Sequence, residues 1–502
     1  MIIPYSNEYV DYLRDESRLL GSADAIVFPT SEQDIIDAVK YARKLGMSIT
    51  TQGARTGIVA GAVPAGGLVL NLSRMQSISA VMRNKSGDGR LIVQPGVLLT
   101  EIREVAAKHN LLFPPDPTET SASIGGMVAS NASGALTFHY GPTRKWVESL
   151  RVVLADGDII SLKRGECVAQ GRSFTITTDS GRVISGNLPN YTQPDVKSAA
   201  GYYVADNMDL IDLMIGMEGT LGVISEIELR LIPAPGEINA LTVFLPSEEA
   251  ALKSVRVLRG EKVDGFDPIS ARPVGIEFFN SDALNLLRRM KGEYPAFEKI
   301  PALKPDFHTA LYAEFHGSSD EELEEAVMAA MEPLMELGAS DEDAWFATTA
   351  RELEPIKAFR HAVPEAVNLL IDLRKRQCPD ITKLGTDMSV PDARLEEVIS
   401  MYNSDLSEDG LESVIFGHIG NNHVHVNILP HDMGDYRRGK SLYMDWAKQV
   451  VALGGSVSAE HGIGKIKAPF LQVMYGDEGI AEMRSLRSLF DPESRLNRGN
   501  LF

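Results

Sequence analysis

Over its first 235 residues the chain alternates short helical and strand-like apolar patterns. TSEQDIIDAVKYARKLG, 30–46, sets apolar residues at helical spacing behind a capping box running from Ser31 to Asp34, and Gly46 closes it. The runs GLVLNL, RLIVQPG and SLRVVLADG follow and read as strands between Gly and Asp turns. Segment 160–196 is polar and rich in Gly, Ser and Thr, and reads as a surface insertion. GVISEIELRLI is a further strand, and PAPGE ends it at a boundary near residue 235.

The rhythm then changes. Strand LTVFL, helix SEEAALKSVRVLRG, strands VGIEFF and ALYAEF and helix DEELEEAVMAAMEPLMEL predict an α+β domain with helices on an antiparallel sheet. A long helix over 351–376 leads through DMSVP to another at 392–401. The tail from Gly454 is Gly-rich, then helical, and too short to fold alone. Three regions result: 1–235, 236–453, and a 454–502 segment that must pack on one of the others.

Composition narrows the function. At 44% hydrophobic and 24% charged residues the chain is globular, and a net charge of -20 argues against a nucleic-acid surface. No apolar run approaches the roughly 18 residues of a spanning helix. MIIPYSNEYVDYL lacks a secretory pattern, so the cytoplasm is the expected compartment, with peripheral attachment at an inner membrane left open. Cys167 and Cys378 are too few for a disulfide framework or an iron–sulfur cluster.

Two glycine-rich stretches stand out. QGARTGIVAGAVPAGG, 52–67, joins two strands, and its Gly53, Gly57 and Gly61 can turn backbone N–H groups onto one anion such as a diphosphate. PPDPTETSASIGGMVASNASG, 114–134, is crowded with small residues that let backbone approach a flat or extended ligand. Either could instead be a flexible turn. Neither matches the GxGxxG or Walker patterns, so a nicotinamide cofactor on a Rossmann domain is not supported.

FGHIGNNHVHVNI, 416–428, holds three of the chain's ten histidines. Read as two strands joined at Asn421-Asn422, it pairs Gly420 with His423 and His418 with His425. Opposed residues share a face with Cβ atoms about 4.5–5.5 Å apart, which makes half a metal site. SAEHGIGK, 458–465, offers Glu460 beside His461 in a Gly-rich loop. A carboxylate joining two imidazoles leaves coordination positions open for substrate, the pattern of a catalytic divalent ion.

The two glycine-rich loops, with KSAAGY at 197–202 and GMEGTLGVISEIELRLIP at 216–233, resemble the FAD-binding domain of the vanillyl-alcohol oxidase superfamily. The later motifs resemble its D-lactate, glycolate and D-2-hydroxyglutarate dehydrogenase branch: FGHIGNNHVH is similar to FGHxGDGNLH, and SAEHGIG to SGEHGIG. The resemblance implies an α+β architecture with a PCMH-type, two-subdomain FAD-binding domain. An α+β cap domain with an antiparallel sheet follows, and the C-terminal tail returns to the FAD domain. It assigns Gly53, Ala54, Arg55, Thr56 and Gly57 to the pyrophosphate. Asp116, Ser123, Gly125, Gly126, Asn131 and Gly134 go to the flavin and ribityl chain, and Glu218, Gly222 and Ile224 close the site. Thr56 stands where superfamily members that tether FAD often carry histidine, which implies non-covalent FAD.

By the same resemblance His418, His425 and Glu460 bind a divalent zinc, manganese or iron ion, and His461 is the catalytic base. Asn421, Asn422 and His423 stand where the branch shows Asp, Gly and Asn, so His423 is an extra ligand or a substrate contact. Arg360, in FRHAVPEAVN, matches an arginine that holds the substrate carboxylate. Lys383 is a second substrate candidate; the branch places its lysine where this chain has Gly385. The implied activity is FAD-dependent oxidation of a small D-2-hydroxy acid. Electrons would leave to a separate quinone, electron-transferring flavoprotein or iron–sulfur subunit, and a homodimer is left open. The rivals are an alkylglycerone-phosphate-synthase-like transferase and a flavoprotein subunit of a larger complex.

Overall fold

The computed structural model describes residues 2–269 and 272–502. Its chain divides into two compact units. One comprises the residues up to Ser133, Gly141–Ala234 and Val457–Phe502; the other comprises Gly134–Tyr140 and Pro235–Ser456.

The first unit is built on two sheets. In the smaller, Leu68–Asn71 lies between Ala25–Val27 and Ile49–Gln52, parallel to both. The capped helix Glu32–Lys44 follows the first of these strands; Ser31 Oγ accepts from Asp34 N at 3.2 Å and Asp34 Oδ2 accepts from Ser31 N at 3.1 Å. It buries Ile35, Ile36, Ala38, Val39 and Ala42 in a core shared with Leu68, Leu70, Val153 and Val223. The larger sheet is antiparallel, with Val223–Pro233 between Gly89–Val93 and Val147–Val153. Arg151 ties helix to sheet by a two-pronged contact with Glu32 at 2.8 and 3.0 Å, and that hydrogen bond lowers the Glu32 pKa.

Segment 160–196, expected as a polar surface insertion, contains an antiparallel hairpin, Ser173–Thr177 with Val183–Asn187. Its alternate residues Phe174, Ile176 and Ile184 are buried, and Phe174 stacks on Phe490. The period of two was present beneath the polar composition. The C-terminal helix Ala468–Phe490 and the turns after it belong to this unit, in agreement with the expected return of the tail. Ile49 N donates to Arg495 O at 2.8 Å, and Thr51 N donates to Asn497 Oδ1 at 2.8 Å.

The second unit is an antiparallel sheet of eight strands. One face lies under the helices Ser281–Glu293 and Ala350–Lys375. Phe244, Phe279, Ala310, Tyr312, Val414 and Phe416 meet Leu287, Phe359 and Val363 there in a single core. The expected helix at 392–401 is longer: a short 3₁₀ turn leads into Leu395–Asp409, which ends at Gly410 with φ +60. Helices Glu248–Leu258, Asp320–Glu336 and Met433–Ala452 and the edge strand Trp345–Ala347 also belong to the unit. Among the described residues no helix is long and apolar enough to cross a membrane.

Candidate active site

Each unit carries some of the residues singled out above. In the first, the strand Ile49–Gln52 runs into Gly53, where a Cβ would stand 2.0 Å from Ser123 Oγ. Ala54 N donates to that oxygen at 3.2 Å, so the loop and the N-terminus of the helix Ile124–Ser130 are in contact. A Cβ on Gly125 would lie 2.6 Å from Pro95 Cβ, whereas one on Gly57 would meet no protein atom within 4 Å. Two glycines are thus required by packing, and the third opens onto space.

That space is a cavity of about 330 Å³. Gly53, Ala54, Arg55, Thr56 and Gly57 form one wall, and Ser123, Gly125 and Gly126 another. Glu218, Gly222 and Ile224 line it too, as do Glu460 and His461. Of the other candidate cofactor residues, Asp116 pairs with Arg103 at 2.6 Å. Asn131 takes φ +50 at the end of its helix and accepts from Arg144 N at 3.0 Å. Gly134 begins the short stretch that belongs to the second unit. These three are not among the described lining residues. The glycine walls, backbone-rich and narrow, suit an extended diphosphate-linked dinucleotide.

Two features behind the cavity had no sequence signal for their roles. Glu460 Oε1 accepts from the buried ammonium of Lys197 and from Ser133 Oγ at 3.1 Å. KSAAGY marks Lys197 as part of a motif, but nothing in it points 263 residues ahead. Glu218, at φ +52, accepts from Ile463 N at 2.6 Å and Gly464 N at 2.7 Å. Burial pushes its pKa up to about 7 against the pull of those two N–H groups. The backbone oxygen of Glu218 accepts from Asn497 Nδ2 at 2.9 Å and Asn500 Nδ2 at 3.2 Å. The loop bearing Glu460 and His461 is therefore anchored at both its ends and its base.

In the second unit the histidine run forms the expected antiparallel pair, Ser413–His418 with His423–Ile428, but in another register. His418 pairs with His423 and Phe416 with His425, not Gly420 with His423 and His418 with His425. The reason is the turn. Ile419–Asn421 make a 3₁₀ turn and only Asn422 takes positive φ, +53, so four residues connect the strands where Asn421-Asn422 alone was expected to. Asn422 is held from outside: its Nδ2 donates to Val390 O at 2.9 Å and Asp392 Oδ1 at 2.6 Å, and its Oδ1 accepts from Arg259.

All three imidazoles still share one face. Ring centroids lie 5.5 Å apart for His418 and His423, 6.1 Å for His418 and His425, and 4.4 Å for His423 and His425. His418 Nδ1 is 2.6 Å from Glu277 Oε1, and His425 Nδ1 is 2.7 Å from Thr386 O. Asp387 Oδ1 lies 3.0 Å from His423 Nε2. Arg360 is buried on the covering helix, its Nε 3.8 Å from the same Glu277 oxygen. Beside it a partly buried chain runs from Tyr140 Oη to His316 Nδ1 at 2.7 Å, and from His316 Nε2 to Glu314 at 3.0 Å. Burial works against the Glu314 charge, yet His316, Lys357, Tyr312 and Arg360 hold its pKa at about 2. Lys383 Nζ is 2.9 Å from Asn368 Oδ1, on the same helix as Arg360.

Comparison with known proteins bears on both units. Residues 23–163 match an FAD binding domain, and residues 234–501 match the C-terminal domain of FAD linked oxidases. A D-lactate dehydrogenase of Anaerostipes hadrus is 30% identical over 98% of this chain and 92% of its own length. A D-2-hydroxyglutarate dehydrogenase of Xanthomonas citri pv. viticola is 29% identical over 95% and 89%. The glycolate oxidase subunit GlcD of Bacillus subtilis is 27% identical over 95% and 90%. Among solved structures, an alkyldihydroxyacetonephosphate synthase aligns over 99% of this chain and 81% of its own with a TM-score of 0.66, at 16% identity, which speaks to fold alone. With a glycine-walled cavity in the unit that matches the FAD binding domain, and the second domain matched across more than half of the residues, the chain belongs to the FAD-linked oxidases and is an FAD-dependent oxidoreductase.

Proposed function

We propose that the protein oxidises a small D-2-hydroxy acid to its 2-oxo acid, with FAD held non-covalently. The observation that carries this reading is the presence of His461 and Glu460 in the lining of the glycine-walled cavity. A base at the wall of a flavin cleft is what removal of hydrogen from a CH–OH carbon requires. The names of the relatives above favour D-2-hydroxy acids as the substrate class.

Bound FAD would supply the hydride acceptor. His461 accepts the proton of the 2-hydroxyl. Arg360 receives the substrate carboxylate through its guanidinium, which Glu277 faces at 3.8 Å. His418 and His425 suit a divalent cation: each presents one ring nitrogen while the other donates to an oxygen, as metal-bound imidazoles do. On this reading Glu460 is their carboxylate co-ligand, and the cation would supply Lewis acidity toward the hydroxyl. With only Cys167 and Cys378 the chain has no cysteine set for an iron–sulfur cluster, so electrons pass to a separate acceptor.

The test is anaerobic bleaching of the flavin by a panel of D- and L-2-hydroxy acids. Bleaching by at least one D acid and not its enantiomer is the expected result. A flavin that no acid in the panel reduces overturns the reading. Acid precipitation should release FAD into the supernatant; flavin in the pellet would show a covalent link.

A further inference from the structure

The reading above uses two imidazoles of the hairpin. Resting on that reading, we infer that His423 is a third ligand. The cation centre of the second unit then comprises His418 Nε2, His425 Nε2 and a ring nitrogen of His423.

A ligating imidazole must be neutral, with its lone pair toward the metal and its other nitrogen given to an acceptor that fixes the tautomer. Two of the three rings meet this condition with different acceptors. The Glu277 carboxylate takes His418 Nδ1, and the Thr386 carbonyl takes His425 Nδ1. His423 Nε2 lies 3.0 Å from Asp387 Oδ1, so an anion stands beside the third ring. The ligand-capable nitrogens of the three histidines lie within 4.8 Å of one another.

The sheet explains how the second of these acceptors arises. Leu384–Gly385 and Met388–Ser389 both pair with His423–Ile428, and between them Thr386 N donates to Val426 O at 3.0 Å. Val426 N donates to Thr386 Oγ1 at 2.9 Å, a bond to side chain rather than to the ladder carbonyl. The Thr386 carbonyl is turned to His425 instead.

A core histidine needing only burial would not share a face with two others. His423 and Asp387 are each fully buried, and nearby positions of that face, Val414 and Phe416, are apolar. A charge buried there requires a partner of opposite sign. Asp387 beside a neutral imidazole on a divalent cation supplies that balance.

Three neutral imidazoles favour borderline divalent ions such as zinc, cobalt or iron over the oxygen-seeking magnesium and manganese. The experiment uses the full FAD-loaded chain, stripped with a chelator and titrated with zinc in competition with a chromophoric chelator. Zinc-edge X-ray absorption on the wild type counts imidazoles and needs no variant. The expected count is three. His423→Asn should weaken zinc by more than the roughly 10–100-fold that loss of an outer partner costs. The zinc-to-manganese affinity ratio should fall in His423→Asn, with FAD content unchanged. His418→Asn separates the two readings. If the wild type binds no zinc, or His418→Asn binds it as tightly as wild type, the cation site of the proposed function fails. If His418→Asn loses zinc while His423→Asn keeps it, or the spectrum fits two imidazoles, only the third ligand is overturned.

Discussion

The glycine cradle of the first unit and the histidine hairpin of the second are made in opposite ways. The cradle is defined by side chains that are missing: Gly53 and Gly125 sit where any Cβ would strike Ser123 or Pro95, and Gly57 opens the cavity. The hairpin is defined by side chains that are present and individually oriented, His418 and His425 each fixed by its own oxygen and His423 set 3.0 Å from Asp387. One region is shaped for close backbone approach; the other gathers ring nitrogens on one face. Added atoms should therefore damage the cradle, and removed atoms should damage the hairpin and the base.

The largest effect should come from His461→Ala, with turnover down about 10²–10⁴-fold while FAD and metal content stay at wild-type levels. Retained activity would show that the proton leaves by another route. Next, Arg360→Ala should weaken binding of a good acid substrate by about 1.5–3 kcal/mol, the value of a charge-assisted hydrogen bond. An unchanged KM would place the carboxylate elsewhere. Glu277→Gln should cost about 10–100-fold in metal affinity, measured by chelator competition, because the amide is a poorer acceptor for His418. It should also raise KM, since Arg360 leans on the same oxygen.

On the cradle side, Gly53→Ala should destabilise the protein by about 1–3 kcal/mol and lower its flavin content. The clash is with one hydroxyl, so adding Ser123→Ala should recover part of the loss. Failure of the double variant to recover would mean that backbone approach, not the Ser123 contact, fixes Gly53. The smallest effect is a pH dependence. The Glu218 pKa is raised from 4.5 to about 7, so the folded state holds its proton more tightly than the unfolded chain. Its contribution is full below 4.5 and is lost as pH rises toward 7. Urea midpoints on either side of that interval should converge in Glu218→Gln relative to wild type.

Local signals carried far in the sequence. The capping box at Ser31, the strand runs, and the helix expected at 351–376 and found at Ala350–Lys375 all rest on neighbours a few residues apart. The glycine cradle was legible for the same reason, because small residues in a row have few structural uses. The hairpin register was not. Asn421-Asn422 looks like a two-residue turn in isolation, and the contacts that select a longer turn come from Arg259 and Asp392. The partners of the candidate ligands were hidden too: Glu277 is 141 residues from His418, and Lys197 is 263 from Glu460. Residues of that kind have no pattern of their own until the fold brings a donor to them.

The anchoring of Glu218 has a consequence for synthesis. Its carboxylate waits for Ile463 and Gly464, and its carbonyl for Asn497 and Asn500, while Thr51 is bonded to Asn497 across 446 residues. A growing chain has therefore already made the whole 235–456 stretch before the first unit can close. Such distant pairings fold slowly and leave intermediates exposed. The unit matching the FAD binding domain, although it begins first, should be the last to become resistant to protease during translation.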